Sequence, residues 1–211
     1  MMSFKLVSGV YIMKNFVIVI ILLISSVSSS FSGEHNDREV FVQTSHNYIQ
    51  SVALSPDGKY VMTGGWDGTA KLWETLTGLE IKTFVCAQDV ESVTISPNGK
   101  YALTGEQGGV VELWDLLSYK KTKTFIGHKK VFQHNRYVNF VNSVYSVAFN
   151  FDGKQALTGT NDGVKLWDVK RGREIRTFNS DNEWVTHPVA FSPDGKFILT
   201  GGTIMLLTIL G

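Results

Sequence analysis

The 211-residue chain has little of several features that would define a function at once. It contains one cysteine, Cys86, which excludes an intrachain disulfide framework and any metal site built from several thiolates. Its net charge is +1, so no strong basic field recruits nucleic acid or an anionic membrane. Charged residues make up 18% and aromatic residues 12%, a balance that argues against disorder. These absences favour a folded chain of near-neutral charge, with one domain or a small pair.

The first thirty residues differ from the rest of the chain. Their only charged side chains are Lys5 and Lys14, and an apolar run at 16–24 follows Lys14. A serine-rich stretch then closes the segment. A basic start, a short apolar core and a small-residue exit are typical of a secretory signal peptide, so we expect residues 1–30 to be cleaved as a signal. Met13 begins this pattern and is a possible true start.

Cleavage predicts an exported protein, either secreted or periplasmic. The alternative is that the uncleaved N-terminal segment anchors the protein in a membrane. The apolar run at 16–24 is shorter than the roughly 20 residues that span a bilayer, which favours cleavage.

Four later segments share one pattern. Each has an alternating strand followed by a turn related to Ser-Pro-Asp-Gly, in which proline presets φ and glycine takes a positive φ. The turn glycines are 41, 54 and 42 positions apart, and they are Gly58, Gly99, Gly153 and Gly195. The longest spacing contains an insertion at 129–143. Self-similarity at a nearly fixed period indicates a repeat architecture.

Each complete unit predicts four antiparallel strands and no amphipathic helix. The second strand ends in Thr-Gly, the third in Leu-Trp and the fourth in Thr-Phe. Alternation of apolar with polar or small residues is typical of half-buried strands.

The chain resembles the WD40-repeat β-propeller family over residues 38–202. The period, the turn, the Leu-Trp-Asp endings at Asp115 and Asp168, and a Gly-His dipeptide at His128 carry the resemblance. It implies an all-β fold of four-stranded blades. We expect units at about 46–86, 87–127, 128–180 and 181–207, and an off-pattern apolar tail at 203–211.

The repeat count predicts an incomplete or open propeller. Three units are full, while the fourth lacks the aspartate turn and the Lys-Leu-Trp strand, as a truncated or frameshifted reading frame would leave it. The alternative is a four-bladed ring in which Glu39–Val42 completes the last blade. An open arc would expose blade edges and favour self-association.

In this family a buried network commonly links a histidine, a hydroxyl, an aspartate and the strand tryptophan of one blade. The resemblance implies such networks in the first unit (His46, Thr63, Asp67, Trp73), the third unit (His128, Thr158, Asp162, Trp167) and, reduced, the second unit (Thr104, Trp114). Side chains that satisfy one another in this way fix blade geometry, so we expect a structural role.

Catalysis has no support in the sequence. Nucleophile elbows, phosphate-binding glycine loops and His-Glu-x-x-His motifs do not occur. His35, His134 and His187 share no metal-ligand spacing, and Cys86 is expected to be a buried, inert thiol. We therefore expect no enzyme activity, no cofactor and no metal.

Two features are candidates for partner binding. Trp66 lies in a turn, where it either contacts a partner or packs on the next blade. The insertion carries Phe132, Arg136 and Tyr137, which form either a binding loop or a tolerated surface loop. The expected function is a non-catalytic protein–protein interaction platform with protein partners and no nucleic acid. The alternative is a regulatory or substrate-recruiting propeller of a larger enzyme whose catalytic domain lies outside this chain.

Overall fold

The structure is a computed structural model that describes residues 12–13, 16–17, 48–128, 142–179, 188–201 and 206–209. Apart from a 3₁₀ turn at Gln107–Gly109, the regular structure of these residues is entirely β. The strands are β1 (Ile12–Met13), β2 (Phe16–Val17), β3 (Ile49–Leu54), β4 (Tyr60–Gly65), β5 (Thr69–Glu74), β6 (Glu80–Val85), β7 (Val90–Ile95), β8 (Tyr101–Glu106), β9 (Val110–Asp115), β10 (Lys120–Ile126), β11 (Ser146–Phe149), β12 (Gln155–Thr160), β13 (Gly163–Asp168), β14 (Arg173–Asn179), β15 (Val189–Phe191), β16 (Phe197–Thr200) and β17 (Leu206–Ile209).

The strands form antiparallel sheets that follow chain order. Strands β3–β6, β7–β10 and β11–β14 make three four-stranded sheets, called blades one, two and three below. Blade four has the three strands β15–β17, and β1 pairs with β2 separately. The prediction of an all-β fold with four antiparallel strands per complete unit is therefore confirmed.

The end of blade four lies within the predicted off-pattern tail. Strand β17 pairs with β16, with Leu206 opposite Thr200 and Leu207 opposite Leu199. Lys71 stands opposite Thr63 in the same way in blade one. Residues 206–209 thus take the place of a third strand, whereas Glu39–Val42 lies outside the described residues.

Consecutive blades pack through the first strand of the later blade. Val90 and Val93 of β7 share an apolar cluster with Met62 and Leu72 of blade one. The Thr-Gly ending of the second strand lets the blades approach closely, because a Cβ on Gly64 would lie 2.5 Å from Cγ1 of Val90. The repeated glycine is therefore required by the seam between blades.

Among the described residues, no neighbouring blade covers the first strand of blade one. Val93 and Ile95 of β7 are 5% and 7% exposed, but the equivalent Val52 and Leu54 of β3 are 39% and 46% exposed. At the far end Leu199 is 41% exposed, while the equivalent Leu103 of blade two is fully buried. The described sheets are consistent with an incomplete WD40 propeller, as the repeat count predicts. Among the described residues, no helix has the length and apolarity to cross a membrane.

Candidate functional site

Blade three contains the complete network that the sequence predicts. The indole Nε1 of Trp167 donates to Oγ1 of Thr158 at 2.8 Å, and that hydroxyl lies 2.6 Å from Nε2 of His128. Nδ1 of His128 lies 2.9 Å from Oδ1 of Asp162. Since the Nδ1–H group donates its hydrogen bond to Asp162, the hydrogen-bond pattern assigns Nε2 as the acceptor of the threonine hydroxyl. Thr160 adds a hydroxyl that donates to Asp162.

Blade one shows part of the same arrangement. Nε1 of Trp73 donates to Oγ1 of Thr63 at 2.9 Å, which joins two of the predicted residues. Asp67 lies in the exposed turn between β4 and β5, and its Oδ1 accepts from the backbone N and the hydroxyl of Thr69 at 3.0 and 2.7 Å. His46 lies outside the described residues.

Blade two replaces the histidine with a glutamate that sequence reasoning missed. Nε1 of Trp114 donates to Thr104, whose hydroxyl donates to Oε1 of Glu106 at 2.9 Å. Oε2 of Glu106 accepts from the backbone N–H groups of Ala87 and Gln88 at 2.9 and 3.1 Å. The carboxylate is fully buried and occupies the place of the imidazole.

The replacement is visible when the segment after β6 is aligned with the segment after β10. Cys86-Ala87 stands where the next unit has Gly127-His128, so the methyl of Ala87 leaves room for a longer side chain. Glu106 stands at the position of Thr160. The missing histidine and the unusual strand glutamate are therefore complementary changes on two different elements.

A second change in blade two reverses an ion pair. In the blades on either side, a third-strand lysine pairs with a fourth-strand glutamate: Nζ of Lys71 lies 2.8 Å from Glu80, and Nζ of Lys165 lies 2.7 Å from Glu174. In blade two the acid is on β9 and the base on β10, and Nζ of Lys121 lies 2.7 Å from Oε1 of Glu112. In blade two the acid is therefore the buried partner, since the Glu112 side chain is only 1% exposed, whereas in the flanking blades the lysine is the more buried partner.

The two changes bring three acidic or nucleophilic groups together. Sγ of Cys86 and one carboxylate oxygen each of Glu106 and Glu112 lie within 4.8 Å of one another. Burial, and then the charge of Glu112, raise the pKa of Glu106 to about 7. Burial and the two carboxylates raise the pKa of the Cys86 thiol. Oε2 of Glu112 is buried and accepts no hydrogen bond from the part of the chain that the structure describes.

An exposed aromatic surface lies at the turn between β4 and β5. Trp66 is 46% exposed and its ring centroid lies 6.0 Å from that of Tyr48, which is 62% exposed. Nε1 of Trp66 donates to Oε2 of Glu91 at 3.3 Å, and Nε2 of Gln107 donates to Oε1 of Glu91 at 3.2 Å. We call Tyr48, Trp66, Glu91 and Gln107 the aromatic patch. The other predicted contact residues, Phe132, Arg136 and Tyr137, lie outside the described residues.

Comparison with family models decides the architecture. The model described as "WD domain, G-beta repeat" matches residues 38–74, 78–115, 119–168 and 172–203. The chain belongs to the WD40 repeat family. In this WD40 protein the repeats and the blades are offset by one strand, since the match at 78–115 spans β6 of blade one and β7–β9 of blade two. Consecutive repeats therefore interlock through a shared sheet.

The relatives match over short stretches. The chain is 32% identical over 69 residues to "Pre-mRNA-processing factor 19" of Oryza sativa subsp. japonica, which covers 32% of this chain and 13% of that protein. It is 46% identical over 44 residues to "Periodic tryptophan protein 2 homolog" of Mus musculus, which covers 20% of this chain and 5% of that protein. The chain thus matches only a small part of these longer proteins.

Proposed function

We propose that this WD40 chain is a non-catalytic protein-binding platform and that the aromatic patch is one of its contact surfaces. WD40 repeats imply a protein-interaction platform, and the patch supplies a specific surface. Tyrosine and tryptophan are enriched among residues that dominate binding energy at protein interfaces. Trp66 and Tyr48 combine large apolar rings with substantial exposure, which is the single observation that carries the proposal.

The patch favours a partner segment that carries arginine or lysine. Both oxygens of Glu91 are held in place by donors from neighbouring turns, which orients the carboxylate beside the indole. A guanidinium or ammonium group there can pair with Glu91 and lie over the face of Trp66 at once. A fixed acid beside two exposed rings suits a basic peptide better than an acidic one.

Substitution of Trp66 tests the proposal. Partners captured by the full chain under its native conditions are identified by quantitative mass spectrometry, and each affinity is then measured with purified partner. Trp66→Ala is expected to weaken binding by about 2 kcal/mol, roughly thirtyfold in Kd. Leu117→Ala is the matched control, because Leu117 is 89% exposed in the turn at the opposite end of blade two. If wild type, Trp66→Ala and Leu117→Ala bind the partner with equal affinity, the aromatic patch is not a contact surface.

We also propose that the chain associates with itself through its open blade faces. Val52 and Leu54 at one end and Leu199 at the other are the exposed equivalents of residues buried at the seams between blades. The two end faces therefore have the shapes that pack together elsewhere in the same chain. Such a contact is head to tail, and it closes a ring only if the rotation per copy allows it.

Residues 1–30, the expected signal peptide, support a proposal that the protein is exported. The basic, apolar and serine-rich order of residues 1–30 is its basis. The protein is expressed in its source cells and recovered from outside the cytoplasm. N-terminal sequencing is expected to show that the mature chain begins near residue 31. A membrane-bound product that retains Met1 or Met13 would support the anchored alternative instead.

A further inference from the structure

We propose that Cys86, Glu106 and Glu112 form a binding site for one divalent transition-metal ion of the Zn²⁺ class between blades one and two. The ligand atoms come from three elements: Sγ from the connection after β6, and one carboxylate oxygen each from β8 and β9. They lie within 4.8 Å of one another. Thiolate and carboxylate are both established zinc ligands, with bonds of about 2.0–2.3 Å, so binding would contract the cluster by about an ångström.

The first independent support is the unpaired oxygen of Glu112. This side chain is only 1% exposed, yet its Oε2 accepts no hydrogen bond from the described residues while Glu106 is ionised. A buried acceptor without a donor costs free energy, so a buried carboxylate oxygen of this kind indicates a missing cationic or protic partner. Lys121 does not fill this role, because its Nζ binds the other oxygen, Oε1.

Charge balance points in the same direction. Blades one and three each hold one lysine against one acid at the equivalent position, as in the pair of Lys71 with Glu80. Among the described residues, blade two holds Glu106 and Glu112 against Lys121, which is one acid more than the lysine balances when both glutamates are ionised. With the Cys86 thiolate bound, a divalent cation neutralises the whole group. As the metal binds, the thiol proton and the proton of the Glu106 carboxyl group, where it is protonated, leave to water.

The donor set and its access favour a transition metal over Ca²⁺ or Mg²⁺. Those hard cations take six or more oxygen ligands and avoid sulfur, whereas Zn²⁺ accepts a mixed set of four. Cys86 is only partly buried, so an ion can reach the cluster from its side, and water can complete the coordination.

Zinc titration of the untagged full chain tests the site. The metal-free protein competes with a chromophoric chelator for Zn²⁺, and one equivalent per chain is expected to bind. Glu112→Gln keeps the size of the side chain and removes the charge, and it is expected to weaken this binding by more than the roughly 10–100-fold typical of changes outside the ligand shell. Glu174→Gln makes the same change in blade three and is expected to leave zinc affinity unchanged.

The reactivity of Cys86 gives a second measurement. Because the chain has one cysteine, alkylation followed by mass spectrometry reports on this thiol alone. Zn²⁺ is expected to slow alkylation of the wild type and of Glu174→Gln, but not of Glu112→Gln. Near-ultraviolet circular dichroism checks that each variant keeps the native fold. A variant that unfolds is replaced by Glu106→Gln, for which the same loss is expected.

Three outcomes would overturn the proposal. They are the absence of saturable zinc binding by the folded wild type, equal affinity of all the folded variants, and zinc-independent alkylation of Cys86. If the wild type binds no zinc but gains stability on mild acidification, and Glu112→Gln reduces that gain, the two glutamates share a proton instead of a metal.

Discussion

The hydroxyl of Thr104 donates a hydrogen bond to Oε1 of Glu106 at 2.9 Å, in the place where Thr158 of the next blade meets the imidazole of His128. Both threonines accept the indole N–H of their strand tryptophan, so each hydroxyl donates onward to a different acceptor. The two blades therefore satisfy one tryptophan–threonine pair with different chemistry. Each arrangement joins a blade to the segment that enters it, and its loss should destabilise the fold.

The threonine at the centre of the blade-three network is the first test. Thr158→Val keeps the side-chain shape but leaves Trp167 without an acceptor and His128 without a donor. We expect a loss of about 2–4 kcal/mol in the free energy of unfolding, because two buried groups become unsatisfied. Urea denaturation followed by tryptophan fluorescence measures it. Thr77→Val, at an exposed threonine in a blade-one turn, is expected to stay within about 0.5 kcal/mol of wild type.

The seam between blades two and three is tested at Gly105. A Cβ at this position would lie 2.8 Å from the backbone O of Val144, which cannot move aside as a flexible side chain would. Gly105→Ala is expected to destabilise the protein by about 1–3 kcal/mol through overpacking. Differential scanning calorimetry measures the shift in Tm. An unchanged Tm would show that the blades separate at this seam without cost.

The reversed ion pair is tested by a charge exchange. Lys121→Glu leaves buried Glu112 without its base and adds a third acid. We expect the free energy of unfolding to fall by about 2–4 kcal/mol, which is less than for a fully buried pair because Lys121 is half exposed. Adding Glu112→Lys restores the lysine-to-glutamate order of the flanking blades and is expected to recover most of that loss. A double-mutant cycle from urea denaturation gives the coupling energy. Additive losses would contradict the pairing.

Self-association is tested at the exposed face of blade one. Leu54→Lys places a charge on the surface proposed to meet a second copy, and sedimentation velocity is expected to show a larger monomer fraction than for wild type. Leu76→Lys is the control, since Leu76 is 75% exposed in the turn between β5 and β6 and not on β3. A wild type that is monomeric at all concentrations would refute the contact.

The turn aspartates make a separate contribution in acid. Hydrogen bonds from Ser55 and Ser192 lower the pKa of Asp57 and Asp194, so their stabilisation is present above the unfolded pKa and is lost as pH falls through the lowered folded value. Asn98 holds the same turn in blade two, where its Oδ1 accepts from Ser96 at 2.8 Å. When the pH is lowered below about 4, the Tm of the double variant Asp57→Asn, Asp194→Asn is therefore expected to fall by less than the Tm of wild type. An equal loss would place the acid sensitivity elsewhere.

The strands, turns and strand tryptophans could be predicted from the sequence because they depend on local pattern. Alternating apolar residues, a proline-preset turn and a glycine with positive φ act over a few neighbouring positions, and the repeat multiplies the signal. The meeting of Trp167 with Thr158 was predictable for the same reason, since both occupy repeated positions. The role of Glu106 could not be predicted in this way, because blade two lacks the repeated histidine and the other units therefore do not indicate which residue replaces it.

The sequence by itself thus determined a WD40 repeat protein of four-stranded blades and the tryptophan–threonine pairs inside blades one to three. Only the tertiary structure decided how blade two compensates for its missing histidine. Cys86, Glu106 and Glu112 lie on three different elements, and their proximity results from strand pairing and from the approach of two blades. The structure also decided that Val52 and Leu199 stay exposed, because burial of a blade face depends on a neighbour and not on its own pattern.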